Sequence, residues 1–438
     1  LIATSLFYTL HRYFVVTISL TVFLTDEMGF SDIDAGWIYG GFGVATSILG
    51  VICGPMIDRL GVRWSILSGG FISLVGRFLI AMPVSQEITL LNLFFLLPLG
   101  IALGIPVMTI AVKRYTNSST QVDGYSFFYS VMNIAALIAG ATTDAFRHGA
   151  KEGTELFGIS FTPLRLLFLS GWVAAAVMVI VAFFGVRRRV LQAVGEGAPG
   201  PQHPQRLVRV RSFTRVGAPF THQYPPHSKA RAFWTLMMYS AVISFARMVF
   251  RHLDATFPKY MLREFGPDVI YGTIYALNPL VVIVASVLIG KATDQRVSPY
   301  NMCIIGSLTT ALSVVPLLFG ASYATSISFI VLLSLGEAAY SPRVYQFTMD
   351  QAPRGHEGFY TSLSSAPFFV GKLFAGGLSG GLLDAFCPAD PPRECEVMWG
   401  IVGSITLVSP ILLLALRGVL DVPGEDAEAP GGGQAQAA

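Results

Sequence analysis

Apolar residues arrive in long blocks separated by short polar turns, and the blocks recur from one end of the chain to the other. Each approaches the roughly 20 residues an α-helix needs to cross a hydrocarbon layer about 30 Å thick. The pattern predicts spans over 3–24, 35–56, 65–82, 89–112, 124–144 and 163–186, and a second set over 232–257, 269–290, 300–319, 325–349, 359–384 and 397–416. A soluble enzyme held by one apolar anchor is excluded. The expected fold class is an all-α membrane protein of twelve transmembrane helices: a six-helix bundle over 1–186, a linker over 187–231, a second six-helix bundle over 232–417 and a tail over 418–438.

Composition agrees with this pattern. Of 438 residues, 53% are hydrophobic and only 13% charged, whereas a soluble domain carries about 25% charged residues to wet its surface. The linker is polar and holds nine basic residues (Arg187, Arg188, Arg189, Arg206, Arg209, Arg211, Arg215, Lys229 and Arg231) against the single acid Glu196. Lys and Arg stay on the cytosolic side of a membrane, so the linker and both termini are expected inside. Arg59, Arg63, Lys113, Arg114, Lys291, Arg296, Arg354 and Arg417 fall in turns on that same side. The first opposite turn holds Asp26, Glu27, Asp32 and Asp34 with no base, while the later ones are mixed, with Arg147, Lys151, Lys259 and Arg263. The net charge of +3 is small and its bases are not interleaved with aromatics in a polar domain, so nucleic acid is not an expected partner. The tail after 421 is acidic and then rich in Gly, Gln and Ala, and is expected to be disordered. With Leu1 first and a span starting at once, the chain is expected to begin inside a longer natural sequence. Cys387 and Cys395 bracket a polar segment, and form a disulfide if that loop is extracytosolic or free thiols if it is not.

Two turns repeat. GPMIDRLGVR, after the second span, contains Gly54, Asp58, Arg59, Gly61 and Arg63, and GKATDQR, after the eighth, contains Gly290, Asp294 and Arg296. The Gly-to-Asp spacing is four in both and the copies are offset by 236 residues, as an internal duplication requires. On these residues the chain resembles the major facilitator superfamily, and the resemblance implies two halves that rock about a central site with these turns as latches. Glycine allows close helix approach, and an acid at a helix end can meet a positive dipole or a cation. A charged turn that only fixes topology is the alternative.

Within that superfamily the chain resembles the proton-dependent oligopeptide transporters. YSFFYSVMNIAALIAG places Tyr125, Phe128, Tyr129, Asn133 and Leu137 as in that family, with Ala135 at its usual Gly; GEAAYSP supplies Glu337, Ser341 and Pro342, followed by Ala352 and Pro353; and HRYFVVTISL puts His11 and Arg12 in a motif that elsewhere carries acids. Ile105, before Pro106, stands where that family carries a Lys tied to proton coupling and substrate recognition.

Charges inside the spans point to function, because an ionisable group at the bilayer centre costs about 2.5–3.5 kcal/mol or more and must face a partner or water. Arg12 precedes Asp26 by 14 residues, about 21 Å of helix; it lies deep in the layer unless a nearer cytosolic end lets it reach inward water. Glu337 and Lys372 fall near the middle of the tenth and eleventh spans and are expected to pair in one state, released by protonation of Glu337 or by solute; a permanent structural pair is the alternative. Arg247, Arg251 and Asp254 share one helix face and leave a positive excess suited to an anionic group, or Arg251 and Asp254 form an outer gate. His252 is read as an interfacial side chain, and Arg77 as one that snorkels to the outer surface. Pro106, and Asn278 with Pro279, predict interrupted helices lining a cavity. Tyr8, Tyr129, Asn133, Tyr275 and Tyr340 can supply neutral hydrogen bonds.

No nucleophile elbow, metal-binding His pair, phosphate-binding loop or zinc-like Cys spacing is present. An enzyme is therefore not expected, nor is any cofactor or metal. The reading is a proton-coupled symporter of a small zwitterionic or anionic organic solute, peptide or amino-acid-like, acting by alternating access as a monomer in the plasma membrane. A facilitative carrier without proton coupling and a non-transporting nutrient sensor are the alternatives.

Overall fold

Three polar turns carry a serine where a helix begins, and each acts in the same way. Ser31, Ser85 and Ser298 take extended backbone angles, and their hydroxyls accept hydrogen bonds from the amides of Asp34, Ile88 and Asn301. Each satisfies one of the amides that a first helical turn leaves without a partner.

The computed structural model describes residues 2–16, 18–115, 121–151, 153–156, 158–185, 226–293, 296–351 and 366–421. The central part of the linker, the tail after 421 and Asp294 lie outside the described residues, and Asp58, Pro106 and Tyr129 are described as helix backbone only. In the first half, helices run over Ile2–Val16, Asp32–Ala81, Leu97–Tyr115, Gln121–Gly149 and Pro163–Gly185. In the second they run over Pro226–Ala246, Met248–Ala255, Tyr271–Thr293, Pro299–Leu312, Tyr323–Gln351, Ala366–Phe386 and Cys395–Ala415. Among the described residues eight helical stretches are long and apolar enough to cross a membrane, or nine counting one bent pair. The helices Ile2–Val16, Gln121–Gly149 and Ala366–Phe386 occupy the expected first, fifth and eleventh positions. The numbering of spans below follows this order of twelve.

Several local expectations are corrected. The second and third spans follow each other within Asp32–Ala81 with only Gly61 non-helical, at φ 72° and ψ 172°, a conformation that an L side chain rarely adopts. Neither predicted proline interruption occurs: Tyr271–Thr293 continues through Pro279 and Leu97–Tyr115 through Pro106, since a membrane helix can lose one amide bond and remain intact. The seventh span breaks instead at Arg247, with a bend of 42°. The fifth and sixth spans are connected by a two-stranded antiparallel hairpin, Thr154–Leu156 with Ile159–Phe161. Cys387 and Cys395 are disulfide-bonded.

The hairpin and the disulfide lie at one end of the molecule, the hairpin end, and the repeated Gly-Asp-Arg turns lie at the other, the motif end. At the hairpin end the halves touch through glycine. The second span carries Gly36 and Gly40, the eleventh Gly376 and Gly380, and a Cβ on Gly36, Gly376 or Gly380 would collide with backbone of the opposite helix. Gly140 and Gly272 stand in the same relation between the fifth and eighth spans. Small residues allow this approach, which van der Waals packing then holds. Each half has its own core; in the second, Trp399 packs against Phe257, Tyr260 and Phe329 with centroid separations of 5.2–6.4 Å.

Candidate functional site

Asp254, on the short helix after the Arg247 bend, is held from both halves. Its carboxylate accepts hydrogen bonds from the Tyr39 hydroxyl of the second span at 3.1 Å and from the Tyr275 hydroxyl of the eighth at 2.9 Å. Arg251 lies one turn away with Nη1 at 3.5 Å and retains 30% exposure of its side chain. The predicted Arg251–Asp254 pairing is therefore formed.

Lys372 reaches the same place from the eleventh span. Its stem passes the second span at Gly43, where a Cβ would collide with it, and its ammonium lies 5.4 Å from the centroid of the Tyr39 ring and 5.8 Å from that of Phe42. Arg251, Asp254 and Arg12 are within its electrostatic reach. Lys372 and Glu337 do not form a salt bridge in this conformation; Lys372 instead meets two rings, and Asp254 is the acid within its electrostatic reach. Lys372 faces the second span, whereas Glu337 faces the eighth, where its Oε2 accepts from Asn278 Nδ2 at 3.2 Å. The same Asn278 amide donates to Ser334 at 3.0 Å. Arg247 lays its guanidinium 4.2 Å from the centroid of the Phe368 ring and acts electrostatically on Glu337.

The structure thus brings together Arg247, Arg251, Asp254, Asn278, Glu337 and Lys372, with Arg12 in electrostatic contact from the first half. Tyr340 is nearly fully buried, with Gly306 against its backbone, and belongs to the core of the second half. Asn133 is half-buried on the fifth span. Three expectations or omissions need correction. His252 is not interfacial but fully buried, its Nδ1 in a hydrogen bond of 2.8 Å with Thr256, whose hydroxyl meets Ser379 of the eleventh span at 2.6 Å. Arg77 does not snorkel and is also fully buried. Tyr39 is absent from the residues that sequence alone points to; its place between Gly36 and Gly40, a small-residue stripe marking a helix contact, is the signal for it.

The hairpin end closes over this cluster. Asp32 of the first half bridges Lys259 at 2.5 Å and Arg263 at 2.6 Å in the second. Asp144 accepts from the amides of Gly272 and Thr273 at 3.1 and 2.6 Å, and so caps the first turn of the eighth span from the opposite half. Arg147 donates to the carbonyls of Pro267 and Val269 at 2.7 and 2.8 Å, and its guanidinium lies 4.2 Å from the centroid of the Tyr271 ring. Lys151 meets Asp268 at 2.5 Å and holds its carboxyl below the usual carboxylate range. These contacts explain the bases in the later turns of this end: each of the four pairs across the halves.

The motif residues behave differently. Arg63 donates to the Phe183 carbonyl at 3.0 Å, within its own half. Arg59 and Arg296 are exposed, and a Cβ on Gly54 or Gly290 would meet nothing within 4 Å. Among the described residues, no hydrogen bond or salt bridge joins these turns to the opposite half.

In sequence, the family model described as Major Facilitator Superfamily matches residues 1–330 and 240–437. No curated protein matches the sequence. Among solved structures, a POT family transporter in complex with 5-aminolevulinic acid has a TM-score of 0.73 at 15% identity, covering 96% of this chain and 96% of that one. A peptide transporter POT in complex with sulfate has a TM-score of 0.72 at 18% identity over 97% of this chain and 94% of that one. At these identities the likeness is one of fold.

Proposed function

Because the chain belongs to the Major Facilitator Superfamily, we propose that this membrane transporter carries a small zwitterionic or anionic organic solute by proton-coupled symport. The observation that supports this most directly is Asp254, joined to Tyr39 of one half and to Tyr275 and Arg251 of the other, with Lys372 beside it. A charged group shared by two halves changes its surroundings when they rock, which is what coupling solute and proton to movement requires.

The basic linker and the motif end are cytosolic in this reading, and the hairpin end, with its disulfide, is extracytosolic. In this reading the conformation is closed at the extracytosolic end, the state from which solute leaves for the cytosol. Arg247, Lys372 and Arg12 provide cationic surroundings for an acidic group, and Glu337 with Asn278 and Tyr129 with Asn133 provide polar contacts for the remainder. In the opposite state the Asp58, Arg59 and Arg63 turn and the Asp294 and Arg296 turn latch the cytosolic end. The protein acts as a monomer in the plasma membrane.

Reconstitution into liposomes with an imposed proton gradient tests the reading, with a panel of amino acids, short peptides, 5-aminolevulinic acid and organic anions. The expected result is gradient-driven accumulation of a panel member, reduced about tenfold or more in Glu337→Gln. Equilibration without accumulation would instead identify a facilitative carrier, as the Ile105 position suggests, and binding without flux would identify a sensor. If Glu337→Gln leaves accumulation and its pH dependence unchanged, Glu337 has no coupling role.

A further inference from the structure

We propose that the first six-helix bundle binds a small inorganic anion, a halide such as chloride, at Arg77. Arg77 lies on the third span with none of its surface exposed, and none of its three guanidinium nitrogens has a hydrogen-bond partner among the described residues. A guanidinium does not lose its proton under ordinary conditions, and a buried ion with no counter-charge strongly destabilises the fold around it. The groups in its electrostatic reach are Tyr8, which is neutral, and Arg12, which has the same sign. No acid acts on it, and the buried acids of both halves have partners of their own: Glu27 with Arg165 and Thr162, Asp144 with Arg147 and the eighth span, Asp254 with Arg251 and two tyrosines, and Glu337 with Asn278. The counter-charge must therefore come from solution.

A second observation points to the same place. Ser73, one turn before Arg77 on the same helix face, is buried against Gly100 of the fourth span, and its hydroxyl also has no partner among the described residues. The fourth span widens into a π-helical turn over Asn92–Leu96, and Asn92 binds the Gly76 carbonyl at 2.7 Å. Such widened turns accompany binding sites more often than plain helix. Tyr8, whose hydroxyl bonds the Ile101 carbonyl at 3.2 Å, brings in the first span. A guanidinium enclosed by three spans admits a single atom far more readily than an organic acid, which would have to separate them; this size limit selects a halide.

The test needs no knowledge of the transported solute and so is independent of the transport reading. The purified full chain is unfolded thermally while potassium chloride replaces potassium gluconate at constant ionic strength. Chloride should raise the midpoint saturably, by about 2 °C or more, and bromide should act similarly. Arg77→Met should lose this dependence and, in gluconate, should be more stable than the parent, because it removes the uncompensated charge. Equal chloride responses in the two proteins would overturn the site, as would stabilisation by succinate but not by halide. Crystals of the unaltered chain grown in bromide provide a second measurement that does not depend on the variant folding. An anomalous peak beside the Arg77 guanidinium is expected, and its absence at full bromide exchange also rejects the proposal.

Discussion

The two ends of the boundary between the halves are built on different terms. At the hairpin end, glycine backbones touch and Asp32, Asp144, Arg147 and Lys151 each find a partner in the other half. At the motif end, Arg63 bonds to a carbonyl of its own half and Gly54 and Gly290 have open space around them. Among the described residues, the salt bridges between the halves are therefore concentrated near one surface. In a carrier that rocks between two states, the contacts closing one end must be balanced by contacts that form at the other. The motif turns are the natural place for those second contacts.

Asp32 offers the hardest test of this difference. Asp32→Asn leaves Lys259 and Arg263 buried without their carboxylate, and loss of one partner from a buried ion pair costs about 3–5 kcal/mol. Amide hydrogen exchange over 267–273 should accelerate by roughly 100-fold or more as the hairpin end opens; unchanged exchange would mean that the bridges do not hold it closed. Next comes a paired substitution. Gly376→Ala adds a Cβ against the backbone of Gly36 and Gly40 and should disfavour closure by about 1–3 kcal/mol, whereas Gly54→Ala, with nothing near its added Cβ, should leave the same exchange rates unaltered. Equal effects from the two would dissolve the contrast between the ends.

A smaller effect is expected from Asp144→Asn, which weakens a helix cap supplied from the opposite half. Loss of a cap is worth about 0.5–2 kcal/mol, and the change should appear first as faster exchange at the amides of Gly272 and Thr273. Asp268 should have the least influence, because its pair with Lys151 is exposed. Lys151 lowers its carboxyl pKa, so the contribution of this pair is complete above the ordinary carboxylate range near 4 and is lost as pH falls through the lowered value. Closure measured by exchange, corrected for the chemical exchange rate, should show no change from this pair between about pH 5 and 8. A change there that Lys151→Ala removes would assign the pair a larger role.

Hydrophobic patterning carries the positions of the twelve spans, because a helix in lipid satisfies its own backbone and needs only a sufficient run of apolar residues. The repeated turns likewise make the duplication legible, and Arg251 with Asp254 could be paired on one face because three residues of helix fix their separation. Partner choice was not legible beyond that range. Asp254 and Tyr39 are 215 positions apart, and Asp32 and Lys259 are 227 apart, so helix packing alone decides that they meet. Depth from a span end suggested that Arg77 could reach water, but the direction of its side chain within the bundle buries it. Lys372 was expected beside an acid at equal depth, yet its orientation carries it past Gly43 to two aromatic rings. Local pattern thus determines which segments enter the membrane, while side-chain orientation and contacts between distant segments determine which charges share a site, and those are properties of the packed tertiary structure.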